Sequence, residues 1–153
     1  MRAFFKYWLP VLLWMVLIFT ASSDTHSYEH SSRLVEPILR WLFPHWPPAR
    51  LDEAHEFCRK CAHVTEYAIF AVLVRRALCG GGFASPGWSW SKVGGTLLLV
   101  FSYASTDEFH QRFVPTRTSS VRDVFLDTAG GALGLFVLWF VGRIRKRPNQ
   151  KMP

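Results

Sequence analysis

The amino-acid sequence predicts an all-α membrane protein: a bundle of four transmembrane helices with both termini cytoplasmic and an interfacial helix in the first outer loop. Three observations lead there. Half of the 153 residues are hydrophobic, with 13 Phe and 7 Trp. They gather into four apolar runs, 7–23, 61–74, 93–106 and 124–142, each holding few ionisable residues and those near one end. The basic residues then alternate with the runs: Arg2 and Lys6 precede the first, Arg75, Arg76 and Lys92 separate the second from the third, and Arg143, Arg145, Lys146, Arg147 and Lys151 follow the fourth. None of these three segments contains an acid, and short segments rich in Lys and Arg remain on the cytoplasmic side.

Taken in order, the spans are expected at about 5–23, 59–78, 92–110 and 123–142, with a basic tail over 143–153, all in one domain. The uncharged parts fall short of the ~20 residues that cross a bilayer core, and snorkelling Lys and Arg make up the length. The longest connection, 22–59, contains "SRLVEPILRWLF". Its Leu34, Val35, Ile38, Leu39 and Leu42 share one helical face opposite Arg33, Glu36 and Arg40, as in an amphipathic helix at the interface that starts or kinks at Pro37. A lid packed on the bundle is the alternative. "FPHWPPAR" breaks regular structure, and Trp41 and Trp46 suit an interfacial aromatic belt. "LCGGGFASPGWSWSK" reads as a flexible inner loop, and its glycines lack the Lys-Ser or Lys-Thr of a phosphate-cradling loop. In the fourth run Gly130 and Gly134 are spaced for close helix approach.

Two other readings stay open on sequence alone: a soluble helical protein with short core helices, and a first run that is a cleaved signal peptide behind Arg2 and Lys6. The net charge of +7 does not point to nucleic acid, because its placement matches a membrane surface and the acidic headgroups there.

With these spans, three polar clusters converge on the outer leaflet. Lys60, His63, Glu66 and Tyr67 open the second span, Asp107, Glu108, His110 and Gln111 close the third, and Asp123 and Asp127 open the fourth. Glu66, Asp107 and Asp127 should lie within a ~30 Å hydrocarbon core, so each should turn inward towards a partner among Lys60, Arg112, Arg117 and Arg122. One outcome is a network that only locks the helices. The other is a binding pocket or site in which His63 or Glu108 is an acid/base candidate. A divalent ion held by Asp107, Glu108, Asp123 and Asp127 is conceivable, but no dense ligand motif appears, so no metal and no cofactor is expected. Cys58 and Cys61, flanked by His55 and His63, read as ordinary side chains, a disulfide or a thin zinc motif, and Cys79 as inert. G-x-S-x-G, H-E-x-x-H and lipid-phosphatase signatures are absent.

"KCAHVTEYAIFAVLV" and "DEFHQRFVPTRTSSVRDVFLDTAGGALG" resemble the VanZ-like family of small bacterial membrane proteins, one member of which is linked to teicoplanin resistance. The likeness runs from "FTASSD" to Gly134. It is most specific in D-E-x-x-Q, an Arg and D-x-x-x-N-x-x-G, here Asp107, Glu108, Gln111, Arg117, Asp123, Asp127 and Gly130, joined by Lys60, His63 and Tyr67. Asp127 departs from the pattern, which usually carries Asn there. The resemblance implies a multi-pass envelope protein and little mechanism; the basic segments add the cytoplasmic membrane as its place and membrane lipids as its partners. The outward polar cluster makes an envelope lipid or cell-wall precursor the candidate ligand, with Arg117 and Arg112 on its phosphate, and a link to glycopeptide tolerance comes with the family name. An intramembrane enzyme and a purely structural or regulatory protein remain the alternatives.

Overall fold

The computed structural model describes residues 2–23, 27–81, 88–113 and 120–145, without the side chains of 2, 3, 23, 27–32 and 34. Among the described residues there are five helices and no strand: α1 (Arg2–Ser23), α2 (Ser27–Leu42), α3 (Pro48–Leu78), α4 (Trp90–Gln111) and α5 (Val121–Arg145). The all-α expectation therefore holds. By length and composition two helices can cross a membrane, Phe4–Ser22 within α1 and Val121–Arg145.

α3 is the central element and packs on each of the other four, most extensively on α5. It begins at Pro48, well before the expected 59. Pro47 has extended backbone (φ −67°, ψ 155°), as a residue before proline prefers, and Pro48 at the first helical position forfeits an N–H that would have had no partner. The early turns carry Asp52, Glu53, Glu56 and Arg59, with Arg59 paired to Glu56 at 2.7 Å. At 1.5 Å per residue, 31 residues span about 46 Å, so α3 is longer than a ~30 Å hydrocarbon core. Its other end is a Schellman turn in which Gly81 N–H donates to Arg76 C=O (2.9 Å) and Gly80 N–H to Ala77 C=O (3.1 Å), with φ of 96° and 63° at the two glycines.

α2 is present, but it starts at Ser27 and Pro37 lies inside it. Its apolar residues do not share one fate. Leu39 is buried and Val35 half-buried, whereas Ile38, Trp41 and Leu42 face outward, with Trp41 80% exposed.

The core runs along α3, from Tyr67 through Phe70, Ala71 and Val74, and is closed by Ile18, Val100 and Leu135. Among its described side chains α1 buries a narrow stripe of Val11, Ile18 and Ser22. Around it Phe5, Leu9, Leu13, Val16 and Leu17 are all exposed, and α5 likewise exposes Leu133, Phe136, Val137 and Phe140. Continuous apolar surface on this scale is the wrong way out for water and the right way out for hydrocarbon.

The seam between α3 and α5 is backbone to backbone. A Cβ added at Gly130 would lie 2.6 Å from Val64 O, and one at Gly134 would collide with Ala68 O. Glycines at i and i+4 on α5 thus meet residues at i and i+4 on α3.

Candidate functional site

Asp107 is the point where the helices meet. It lies near the C-terminal end of α4 and is 2% exposed. Its Oδ2 accepts from Ser22 Oγ of α1 (2.8 Å), Gln111 Nε2 one turn on (3.2 Å) and, more weakly, Tyr67 Oη of α3 (3.3 Å). Hydrogen bonds to a charged acceptor are the strong ones, and burial makes each harder to lose. Tyr67 is fully buried, and its ring is fixed edge-on to Phe70 at 6.2 Å. Tyr103 of α4 packs on Phe70 and donates to Met15 C=O, while Trp14 Nε1 donates to Glu66 C=O (3.0 Å). These two bonds fix the height of α1 against its neighbours, and hence the place of Ser22.

Asp127 of α5 is also buried, with Oδ1 4.0 Å from Nδ1 of half-buried His63 on α3. That is within ion-pair reach for a protonated imidazole and too long for a hydrogen bond. Glu108 is buried and Oε2 accepts the Ser120 backbone N–H (2.9 Å), while Ser120 Oγ accepts from Arg122 N–H (3.1 Å) and so caps α5.

The expected residues are therefore distributed as follows. Tyr67, Asp107 and Gln111 meet directly, His63 faces Asp127, and Glu108 holds the start of α5. Glu66 and Asp123 are half-buried at the same end, and Lys60 is exposed on α3. Arg117 lies outside the described residues. Cys58 and Cys61 are free thiols, so no disulfide links them, and Cys79 Sγ accepts from Arg75 Nη1 at 2.9 Å. Among the described residues no group of three or more His, Cys, Asp or Glu is gathered as for a metal ion.

Sequence reasoning missed Ser22. A hydroxyl closing an apolar run looks like an ordinary span end. The available signal was register, since Val11, Ile18 and Ser22 fall on one helical stripe and Ser22 is the polar member of it. Aromatic rings flank this end of the bundle: Phe19 lies against His110 at 4.5 Å and Phe109 against Phe113 at 5.5 Å, with Phe57, Phe109 and Phe113 exposed.

Lipid-facing apolar helices around a buried carboxylate network define an α-helical membrane protein with a polar site near one end. Residues 7–142 match the VanZ/LLP1 family model, and the chain belongs to that family. Nothing among curated proteins or solved structures matches it.

Proposed function

We propose that this is a multi-pass protein of the bacterial cytoplasmic membrane that binds an envelope lipid or cell-wall-related amphiphile in an outward-facing polar pocket. In this reading α1, α3, α4 and α5 are the spans, α2 lies at the outer interface, and both termini are cytoplasmic. Family membership supports the envelope setting. The observation that carries the binding reading is the buried Asp107 carboxylate, hydrogen-bonded to groups on three helices beside exposed aromatic faces. A hydrogen-bonding headgroup fits the first feature and acyl chains fit the second. Envelope-antibiotic tolerance of the teicoplanin type is the phenotype through which such binding would act.

The His63–Asp127 pair favours a second reading, an intramembrane enzyme using acid/base chemistry on the same lipid. Single substitutions of Asp107, Glu108, Arg117 and Asp123 separate the readings when membrane abundance, glycopeptide tolerance and envelope lipid composition are measured together. Binding predicts intact abundance with lost tolerance and unchanged lipids. Catalysis predicts altered lipids. Abundance that falls in step with tolerance in every variant returns the cluster to a purely structural role. Reporter fusions test the topology: residues 45 and 115 should report outside, 85 and 150 inside.

A further inference from the structure

The opposite end of the bundle holds a buried cation that meets no acid among the described residues. Arg75, in the last turn of α3, is 5% exposed. Its guanidinium donates to Cys79 Sγ and lies 4.9 Å from the centroid of the Trp88 ring. Among the described residues no carboxylate pairs with it. Sequence explains why: neither 75–92 nor 143–153 nor the start of the chain contains an Asp or Glu. A thiol, a ring face and the carbonyl end of a helix supply only partial negative charge. The indole Nε1 of Trp88, beside the guanidinium, is itself buried without an acceptor among the described residues. Next to them Lys6 and Arg76 both lie against the ring of Tyr7, at 5.6 and 5.7 Å, which draws two more positive charges together.

We propose that this basic end is a binding site for the phosphate of an anionic phospholipid, with the Arg75 guanidinium and the Trp88 N–H as its buried donors. Planar guanidinium donors match phosphate oxygens in pairs, and Lys6 and Arg76 supply the surrounding field. A lipid rather than a free ion is the occupant, because exposed Phe4, Phe5 and Trp90 place apolar surface beside the site for acyl chains. The site is distinct from the Asp107 pocket, and its fate does not depend on what that pocket binds.

The test uses the full chain in phosphatidylcholine nanodiscs, titrated with short-chain phosphatidylglycerol and read by native mass spectrometry and thermal unfolding. Phosphatidylglycerol should bind in preference to short-chain phosphatidylcholine and raise the unfolding temperature. Arg75→Gln should weaken that binding roughly tenfold or more, the size of one lost charge-assisted anchor. Trp88→Phe keeps the ring and removes the donor, so it should weaken binding even where Arg75→Gln fails to fold. Arg40→Gln, which removes one exposed positive charge elsewhere, should bind as the parent chain does. Equal binding of the two lipids, or parental phosphatidylglycerol affinity in either Trp88→Phe or a folded Arg75→Gln, would overturn the proposal. Stabilisation by inorganic phosphate equal to that by the lipid would overturn the lipid assignment.

Discussion

The seam between α3 and α5 makes a prediction with opposite signs at two glycines of one helix. At Gly130 an added Cβ would sit 2.6 Å from Val64 O and 2.9 Å from Val64 Cα, where ordinary contact begins at 3.4 Å. Both obstacles are backbone, so no rotamer relieves them and the helices must part locally by about 0.8 Å (3.4 − 2.6). Overpacking of this kind costs about 1–3 kcal/mol, against a gain of about 0.5–1 kcal/mol for replacing a helical glycine by alanine. Gly130→Ala should therefore lose up to about 2.5 kcal/mol net. At Gly142 nothing lies within 4 Å, so Gly142→Ala should keep the whole propensity gain. Val64 is one turn from Tyr67 and Gly130 one turn from Asp127, so parting the seam also pulls at both polar contacts. The measurement is equilibrium unfolding in detergent micelles, with Gly142→Ala as the paired control. Gly130→Ala unfolding at or above the stability of Gly142→Ala would refute the close approach.

Two further outcomes follow from named contacts. Ser22→Ala removes a 2.8 Å bond to a buried carboxylate and should cost about 1–3 kcal/mol in the same unfolding assay, whereas Tyr67→Phe removes a 3.3 Å bond while keeping the ring and should cost about 1 kcal/mol or less; equal losses would show that the carboxylate is held differently. Gly81→Ala meets both a φ of 96° and the Tyr7 ring and should be destabilised by roughly 1–3 kcal/mol, and Gly80→Ala, with φ 63° and open space, by about 1 kcal/mol or less. The two melting curves decide that ordering.

What was legible in the sequence is what periodicity and composition encode. The apolar runs mark α1 and α5 as capable of spanning, and i, i+4 spacing ties Asp107 to Gln111. Spacing also singles out Gly130 and Gly134, but only the fold names Val64 and Ala68 as the backbone they approach. The start of α3 escaped because 48–60 is polar on most sides, with no apolar stripe to betray a helix there. The split face of α2 escaped for another reason. Helical periodicity shows which residues share a side, not which of them the rest of the protein covers, and Leu39 is buried while Ile38 is exposed.

The acids at the end of α4 still need a physical reason to be there, since the carbonyl end of a helix repels negative charge. Their contacts supply it. Glu108 takes the backbone N–H of Ser120 at the opening of α5, where the next helix offers donors and the positive end of its dipole. The D-E pair closing α4 and the D-x-x-x-D stretch opening α5 are thus two halves of one junction: Glu108 anchors the entry of α5, and that entry carries Asp127 to His63. Asp107, one residue earlier, draws α1 and α3 to α4 through Ser22 and Tyr67, so the two neighbouring acids divide the work of joining the helices.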